Sequence, residues 1–287
     1  MLKIKWIHNK LIKNSLLALL LIITSCQQAV EVKQTLEAKQ ADSNSGVFVL
    51  CYHAFTDRPN EITFPMRQLD LHMKTLKDGG FNFITTEDLV AGRYRGLNNV
   101  LITSDDGNRS VYTAYQEVFK KYGIKPLIGI YPAIINRVHY ALTWEQVAEL
   151  HQEGCYIAPH GYYHLFLDAK SYKEDPKASR KEVVDSKKVL ESKLGFDMDI
   201  FVYPYGKRCP EIVQLVEEIG YKFAFTIDHG IISRDDLINN RLELPRYMIT
   251  NSNVNQIFAL MFKAIDKPYE PNPELVGFSR EQIRKAR

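Results

Sequence analysis

Two adjacent carboxylates, Asp105 and Asp106, follow a short apolar run and precede a glycine within residues 99–107. Such a run of β-branched residues and leucine indicates a buried strand, and the turn after a strand often carries chemistry. Like charges this close oppose each other's ionisation unless a cation neutralises them. If Asp106 binds a cation, Asp105 remains free as a base. The alternative is an Asp-Asp-Gly turn held by local hydrogen bonds.

Two histidines, His160 and His164, stand four residues apart. On a helical turn this spacing places both imidazoles on one side, within reach of one metal ion. Taken alone, two histidines of the core or the surface are the alternative interpretation. With Asp106 they make a set that suits Zn²⁺, or Co²⁺ or Ni²⁺, and leaves coordination positions open for water and substrate. The pattern predicts a catalytic metal centre.

The elements that must position these groups are strand-and-helix units that recur from residue 47 onward. Strands are expected at 47–52, 81–84, 100–103, 126–131, 155–158, 200–203, 223–226 and 244–249. Helices are expected at 65–77, 111–122, 143–154, 176–194, 211–219 and 254–263. This alternation predicts a parallel α/β architecture, either an open doubly wound sheet or a closed barrel. Polar residues at several strand ends favour a barrel, in which those ends meet at one mouth. They are His53, Asp105, Asp106, His160, Tyr205 and Arg246.

The first 26 residues are predicted to be a signal peptide. A lysine-rich start precedes an apolar stretch at 16–23 that is short for a bilayer, and Cys26 follows two small residues. This resembles a bacterial lipoprotein signal, in which Cys26 is lipidated and becomes the new N-terminus; an uncleaved anchor is the alternative. Either way, the body is predicted to be exported and anchored to the cell envelope by residues that precede a flexible tether at 27–45.

Composition excludes some partners and leaves others open. The formal net charge of +3 is spread along the chain without a basic stripe, so nucleic acid is not an expected partner. Besides Cys26 the chain has Cys51, Cys155 and Cys209, whose wide spacing forms neither a zinc ribbon nor a disulfide framework. We expect buried, small apolar side chains there, with at most one disulfide that the spacing does not assign. Residues 266–287 are predicted to be an irregular, peripheral C-terminal tail.

Three motifs carry a family resemblance. They are Thr-Ser-Asp-Asp-Gly at 103–107, His-Gly-Tyr-Tyr-His at 160–164 and Phe-Val-Tyr-Pro-Tyr-Gly at 201–206. In order and spacing they resemble the polysaccharide deacetylase family with the NodB homology domain, carbohydrate esterase family 4, over essentially all of 46–265. The resemblance implies a single-domain, distorted (β/α) barrel of about seven strands. It also implies metal-dependent removal of acetyl groups from N-acetylated sugars.

The resemblance assigns roles to matching residues. Asp105 is expected to be the general base, and the backbone N–H of Tyr205 to bind the oxyanion. The metal ligands are expected to be Asp106, His160 and His164.

Two further residues complete the expected machinery. The chain lacks the late Leu-x-His motif of many family members, but 50–53 resembles the opening strand of the poly-N-acetylglucosamine deacetylase branch. His53 is therefore the candidate acid; alternatively it only caps the first strand. Arg246 is expected to reach the mouth and hold Asp105 ionised, with a surface arginine as the alternative.

Two residues depart from the family pattern. Ser104 stands where the family usually has Phe, and Gly161 where it usually has Ser or Thr. Loss of a hydroxyl at 161 predicts weaker metal binding, because that group could orient a ligand.

The sequence thus favours an exported, lipid-anchored, metal-dependent deacetylase. Its expected substrate is an N-acetylglucosamine polymer, either poly-β-1,6-N-acetylglucosamine or the glycan of peptidoglycan. One alternative is a non-catalytic glycan-binding lipoprotein on the same fold, suggested by Ser104, Gly161 and the absent Leu-x-His motif. Another is a metal hydrolase for a different acyl or phosphoryl substrate, since fold does not fix function.

Overall fold

The computed structural model describes residues 45–277, so the predicted signal peptide, Cys26 and nearly all of the predicted tether lie outside the described residues. No helix within this range is long and apolar enough to cross a bilayer. The strands are β1 Gly46–Tyr52, β2 Asn82–Phe83, β3 Asn99–Ser104, β4 Leu127–Ile130, β5 Tyr156–Pro159, β6 Ile200–Val202, β7 Phe223–Phe225, β8 Ile232–Ser233 and β9 Tyr247–Met248. The α-helices are α1 Met66–Asp78, α2 Thr86–Val90, α3 Ser110–Glu117, α4 Trp144–Gln152, α5 Ala169–Glu174, α6 Pro176–Leu194, α7 Pro210–Glu218, α8 Asp236–Asn239 and α9 Val254–Ala264.

The strands wrap around in the order β1-β3-β4-β5-β6-β7-β9. Parallel ladders join β1 to β3, β3 to β4 and β4 to β5, and β9 pairs in parallel with β1. β6 and β7 form a separate parallel pair, which a bridge between Phe225 and Leu244 connects to the segment before β9. β2 adds to β3 in parallel, and the short β8 pairs antiparallel with the start of β1.

The predicted distorted barrel is confirmed, and its distortion lies between β5 and β6. The ladders found in residues 45–277 include none between these two strands. They are linked instead by a side chain, because Nδ1 of His160 donates to the carbonyl oxygen of Val202 at 2.9 Å.

Side chains of β1 alternate between two apolar clusters, as expected for a strand with both faces packed. Phe48 and Leu50 share the outer cluster with the buried faces of the helices, while Val47 and Val49 face an inner cluster. The inner cluster takes residues from the strands on every side, including Leu101, Leu127, Ala158, Val202, Phe225 and Leu244. It is therefore the packed interior of the barrel.

The inner face continues past this cluster to the C-terminal ends of the strands. Two residues beyond Val49 and Ala158, the same alternation places Cys51 and His160 on the inner side. Asp105 follows β3 in the same way, and a Cβ on Gly129 of β4 would lie 3.0 Å from its Oδ1. Glycine at 129 thus leaves the space that the carboxylate fills.

Several elements differ from the predictions for physical reasons. The strand expected at 244–249 is reduced to β9, because Pro245 has no N–H for a ladder and Leu244 forms only an isolated bridge. The helices α5 and α8 were not predicted; both are short and bury no side chain, so they leave no apolar periodicity. Cys51, Cys155 and Cys209 are buried and free.

The described part of the predicted tail is irregular except for a 3-10 turn at Pro273–Leu275, but it is not peripheral. Leu275 is fully buried, and its carbonyl oxygen accepts a 2.7 Å hydrogen bond from Nε2 of His72 in α1. The Tyr52 hydroxyl lies 3.2 Å from Nδ1 of His72. Since a carbonyl only accepts, the neutral imidazole carries its proton on Nε2 and accepts from Tyr52.

Burial of His72 predicts a loss of stability in mild acid. Burial lowers the pKa of His72 to about 4, although the hydrogen bond to Leu275 acts in the other direction. The unfolded chain binds the proton near its ordinary pKa of about 6.5, so the stability gained from a neutral His72 falls as the pH drops from about 6.5 to 4. From pH 8 to pH 5 we expect a contribution of about 2 kcal/mol.

Urea unfolding of the wild type and His72→Gln at both pH values measures this contribution. The variant should lose less stability than the wild type on acidification. His139→Gln, at an exposed histidine, is the control and should retain the wild-type pH dependence. Equal pH dependence of His72→Gln and the wild type would contradict the prediction.

Candidate active site

The structure brings the predicted metal ligands together at the mouth of the barrel. Oδ1 of Asp106 lies 3.6 Å from Nε2 of His160 and 3.3 Å from Nε2 of His164. The two Nε2 atoms are 3.1 Å apart. Asp106 and His160 follow β3 and β5, and His164 returns to the mouth on the loop that follows β5.

That loop is not the helical turn that the four-residue spacing suggested. Residues 160–164 contain no helix, and the backbone reverses through positive φ angles of 70° at Gly161 and 65° at His164. The two imidazoles face each other with ring centroids 4.7 Å apart. The two imidazoles lie together as the spacing predicted, but a loop rather than a helix places them.

Backbone strain is concentrated at this site. Asp106, His164 and Tyr205 adopt positive φ angles of 76°, 65° and 56°, and they are three of the five non-glycine residues that do so among residues 45–277. Each such conformation costs on the order of 1–3 kcal/mol and persists only where surrounding contacts hold it. The fold therefore holds these residues in an arrangement that unconstrained chains avoid.

The three ligand atoms fit a divalent metal ion. The bond between His160 and Val202 leaves Nε2 of the neutral imidazole as an unprotonated acceptor that faces the other two ligand atoms. Oδ1 of Asp106 is buried and has no hydrogen-bond partner among the described residues. Atoms held at about 2.0–2.2 Å from one zinc ion at tetrahedral angles are about 3.3–3.6 Å apart, close to the separations found.

The pKa shifts of the three ligand residues differ, because burial and the neighbouring charges act on each of them with different strengths. Burial lowers the pKa of His160, but the carboxylates of Asp105 and Asp106 outweigh it and the net shift is upward. Burial opposes ionisation of Asp106, yet His160 brings its pKa below the ordinary value. Burial and the neighbouring His160 lower the pKa of His164 to about 4, which leaves a neutral imidazole available as a ligand near pH 7.

Asp105 is buried beside these ligands and forms a two-pronged ion pair with Arg246. The guanidinium donates to Oδ1 at 2.9 Å and to Oδ2 at 2.8 Å, and Arg246 is itself fully buried. Further bonds to the Thr226 carbonyl and the Thr103 hydroxyl fix the guanidinium. Burial raises the pKa of Asp105, but Arg246 and His160 lower it well below its usual range. The carboxylate is therefore ionised at neutral pH.

His53 lies next to Asp105, and Ser104 fixes its backbone. Ligand atoms of His53, Asp105 and Cys51 all lie within 4.8 Å of one another. The Ser104 hydroxyl donates to the carbonyl oxygen of His53 at 2.8 Å. Nδ1 of His53 is buried without a partner among the described residues, and burial lowers the pKa of this histidine despite the nearby carboxylates.

Tyr205 lies in the 3-10 turn Pro204–Gly206, where its φ is positive. None of the backbone and side-chain acceptors in residues 45–277 receives a hydrogen bond from its N–H. Its ring packs against His164 at 4.3 Å and stacks on Phe166 at 4.2 Å between centroids. Both Tyr205 and Phe166 remain exposed, as do Tyr163 and Leu165. An apolar, partly aromatic surface therefore borders the ligands.

Sequence reasoning missed two residues at the site. Cys51 donates its thiol to Oδ2 of Asp105 at 3.4 Å, and burial keeps it protonated by raising its pKa. Its place at the end of β1, on the face of Val49, was the available signal. The buried Glu182 of α6 contacts the loop between the two histidines. A glutamate on a helix face that otherwise buries Ser179, Val183, Ser186 and Leu190 could have revealed it.

Comparison with known proteins agrees with this geometry. A sequence model of the polysaccharide deacetylase family matches residues 94–224. YxkH of Bacillus subtilis, whose name assigns it provisionally to the polysaccharide deacetylases, is 32% identical over 191 residues that cover 65% of this chain. The chain belongs to the polysaccharide deacetylase family. The predicted family is confirmed, and with it the enzyme class, hydrolases that act on the amide bonds of N-acetyl groups.

Two further proteins are similar to this chain. The poly-β-1,6-N-acetyl-D-glucosamine N-deacetylase of Escherichia coli is 21% identical over 273 residues, which cover 79% of this chain. The chain covers 66% of YxkH and 40% of the E. coli protein. The structure of IcaB from Ammonifex degensii superposes with a TM-score of 0.65 at 24% identity, over 76% of this chain and 97% of that one. The chain and IcaB thus share a fold.

Proposed function

We propose that this polysaccharide deacetylase removes acetyl groups from N-acetylglucosamine residues of an extracellular or cell-wall polysaccharide, and that it does so with a divalent metal ion, most readily Zn²⁺. The observation that carries the proposal is a single juxtaposition. An ionised carboxylate, Asp105, lies 3.9 Å through its Oδ2 from Nε2 of His160, one of three side chains suited to hold the metal. A base beside a metal-ligand set is an arrangement that promotes attack of water on an amide.

The contacts of Asp105 hold its carboxylate in the orientation that a general base needs. Arg246 occupies one lone pair of each carboxylate oxygen of Asp105, which leaves the second lone pair of Oδ1 free, whereas that of Oδ2 accepts only the weak Cys51 thiol donor. Asp105 accepts the proton that water loses as it attacks the acetyl carbonyl carbon. The guanidinium and the Cys51 thiol restrict rotation of the carboxylate, so the accepting oxygen stays aimed at the ligands.

The metal-ligand set and the turn at 204–206 are proposed to stabilise the negative charge that develops on the acetyl oxygen. A divalent ion held by Asp106, His160 and His164 would supply Lewis acidity toward water and toward the acetyl oxygen. The N–H of Tyr205 donates to the oxygen on which negative charge develops. No backbone acceptor within residues 45–277 receives this N–H, which supports its proposed role.

His53 is the proposed proton donor to the departing amine nitrogen. Its ring lies beside Asp105, and the bond from Ser104 to its carbonyl oxygen holds its backbone in place. Near pH 7 the lowered pKa of His53 favours the neutral ring. The ring therefore gains its proton within the reaction, and Asp105 is the nearby group that has just accepted one.

The proposed substrate is a polymer of N-acetylglucosamine, either poly-β-1,6-N-acetylglucosamine or the glycan of peptidoglycan. The name of the E. coli relative supports the first. Exposed aromatic rings beside the ligands, such as Tyr205 and Phe166, offer flat apolar faces to sugar rings.

We also propose export and lipid anchoring through Cys26. Loss of membrane partitioning of the full chain in Cys26→Ser would support the anchor, and unchanged partitioning would refute it.

The contacts of Ser104 and Gly161 weaken two of the arguments for a non-catalytic glycan-binding protein. Ser104 and Gly161 depart from the family pattern, but each has a partner in this chain. Ser104 bonds the backbone of His53, and Gly161 makes room for Glu182. Neither departure removes a ligand or the base.

Acetate release by the purified chain tests the proposed function. The substrates are β-1,6-linked N-acetylglucosamine oligomers and peptidoglycan glycan, each assayed after chelation and after addition of Zn²⁺, Co²⁺ or Ni²⁺. We expect release from at least one substrate, complete loss on chelation and recovery with a metal, because amide hydrolysis here depends on metal-activated water. A folded chain that binds no metal and releases no acetate under any of these conditions would favour the glycan-binding alternative.

A further inference from the structure

Glu182 makes an unusual set of contacts for a glutamate on a helix. It lies in the middle of α6 and is fully buried. Its Oε2 accepts from the N–H of Tyr162 at 3.0 Å and of Leu165 at 3.1 Å, and its Oε1 accepts from the N–H of Tyr163 at 2.9 Å. All three donors belong to the loop that carries His160 and His164. One carboxylate therefore binds the backbone of that loop on either side of His164.

Gly161 shows that the carboxylate and this loop share one space. A Cβ built at 161 would lie 2.4 Å from Oε2 of Glu182 and 2.9 Å from Cγ of Pro204. Both separations are shorter than real Cβ contacts, so a side chain at 161 would displace the carboxylate or the loop. The φ of 70° at 161 also favours glycine. Glycine at 161 and glutamate at 182 thus depend on each other.

We propose that Glu182 is a positioning residue that holds the 160–165 loop in its ligating conformation before metal binds, and that its carboxylate takes the place of the hydroxyl that Gly161 lacks. The loop needs such support, because His164 adopts a strained backbone conformation and its imidazole packs on the exposed ring of Tyr205. Side chains outside the ligand set that orient ligands typically affect metal affinity ten- to a hundredfold. The weaker metal binding expected from Gly161 is therefore offset within this chain.

This inference rests on the metal centre of the proposed function, but its tests do not require turnover. The first is amide hydrogen exchange of the metal-free wild-type protein. Because Glu182 accepts hydrogen bonds from these amides, Tyr162, Tyr163 and Leu165 should be protected at least about a hundredfold relative to an unfolded chain. Unprotected exchange that becomes protected only on adding Zn²⁺ would overturn the proposal.

The second test is Zn²⁺ affinity by calorimetry on metal-free protein. Glu182→Gln keeps the size of the side chain but turns an N–H₂ group toward the loop donors, so we expect the Kd for Zn²⁺ to rise about ten- to a hundredfold. The matched control is Glu191→Gln on the same helix, where the carboxylate accepts from the N–H of Met198 at 2.9 Å away from the loop. Its Kd should stay within about twofold of wild type.

A folded Glu182→Gln protein that binds Zn²⁺ like the wild type would overturn the positioning role, and should the variant not fold, the exchange experiment decides. A chain that releases no acetate but shows the exchange pattern and the loss of Zn²⁺ affinity would refute the proposed function and leave this inference standing.

The shared space has its own test. Gly161→Ala adds the clashing Cβ, and it should weaken Zn²⁺ binding more in the wild type than in Glu182→Ala, where the carboxylate is gone. The residual effect in that background comes from the positive φ and from Pro204. Equal losses in the two backgrounds would overturn the dependence of Gly161 on Glu182.

Discussion

Asp105→Asn is expected to lower acetate release at least about a hundredfold while the protein still binds one metal ion per chain. Asparagine has the size of aspartate but no carboxylate to accept a proton, and loss of a general base costs about 10²–10⁴ in rate. Asp105 is not among the three ligands, whose atoms lie within 4.8 Å of one another. Steady-state acetate release and metal analysis of the same sample measure both quantities.

His160→Ala provides the contrast, because it removes a ligand. We expect it to lose bound metal and activity together, whereas Asp105→Asn separates them. Asp228→Asn controls for a change of charge alone, since Asp228 pairs with Arg208 at the surface. Its activity should stay close to wild type. Rates of Asp105→Asn and the parent within threefold of each other would remove the base from the mechanism.

Arg246→Met is expected to destabilise the fold by about 3–5 kcal/mol, the typical result of leaving a buried charge without its partner. Arg246 is fully buried and bonds both oxygens of Asp105. Methionine fills part of the volume but leaves the carboxylate of Asp105 in a site with little water. Removal of the guanidinium also deprives the Thr226 carbonyl and the Thr103 hydroxyl of a donor. Urea unfolding at pH 7 measures the loss.

A surface arginine gives the matched comparison. Arg208 forms ion pairs with Asp228 and Glu243, whose side chains are largely exposed, so Arg208→Met should cost less than about 1 kcal/mol. The double variant Arg246→Met with Asp105→Asn should recover part of the lost stability, because no unpaired charge remains, but no activity. Similar destabilisation by Arg246→Met and Arg208→Met would contradict the buried ion pair.

The loop between the ligands illustrates why spacing alone was incomplete. The sequence identified His160 and His164 as a pair, because two imidazoles four residues apart suit one metal ion. It suggested a helical turn, whereas the backbone reverses through Gly161 and His164 at positive φ. That conformation depends on Glu182, which is distant in sequence and binds the loop only when α6 packs beside it. No local sequence pattern predicts that a glutamate on the face of α6 binds the backbone of the 160–165 loop.

The barrel was predictable because short apolar runs and amphipathic helices in alternation are local patterns that burial enforces. The same holds for the acidic strand end at Asp105 and Asp106, where apolar residues stop at charged ones. The long-range pair of Asp105 with Arg246, 141 residues apart, was proposed only as one of two alternatives. Strand order decides it, because β9 pairs with β1 and thereby brings the segment that carries Arg246 to the inner face.

The sequence by itself determined the class of fold and the family, and it predicted the metal-ligand set, since these depend on residue types at short spacing. Only the tertiary structure decided which distant side chains hold that set in place: Arg246 and Cys51 on Asp105, and Glu182 on the loop. The physical reason is that these side chains are buried polar groups. Their partners are fixed by which strands and helices pack together, and that packing is a property of the whole chain.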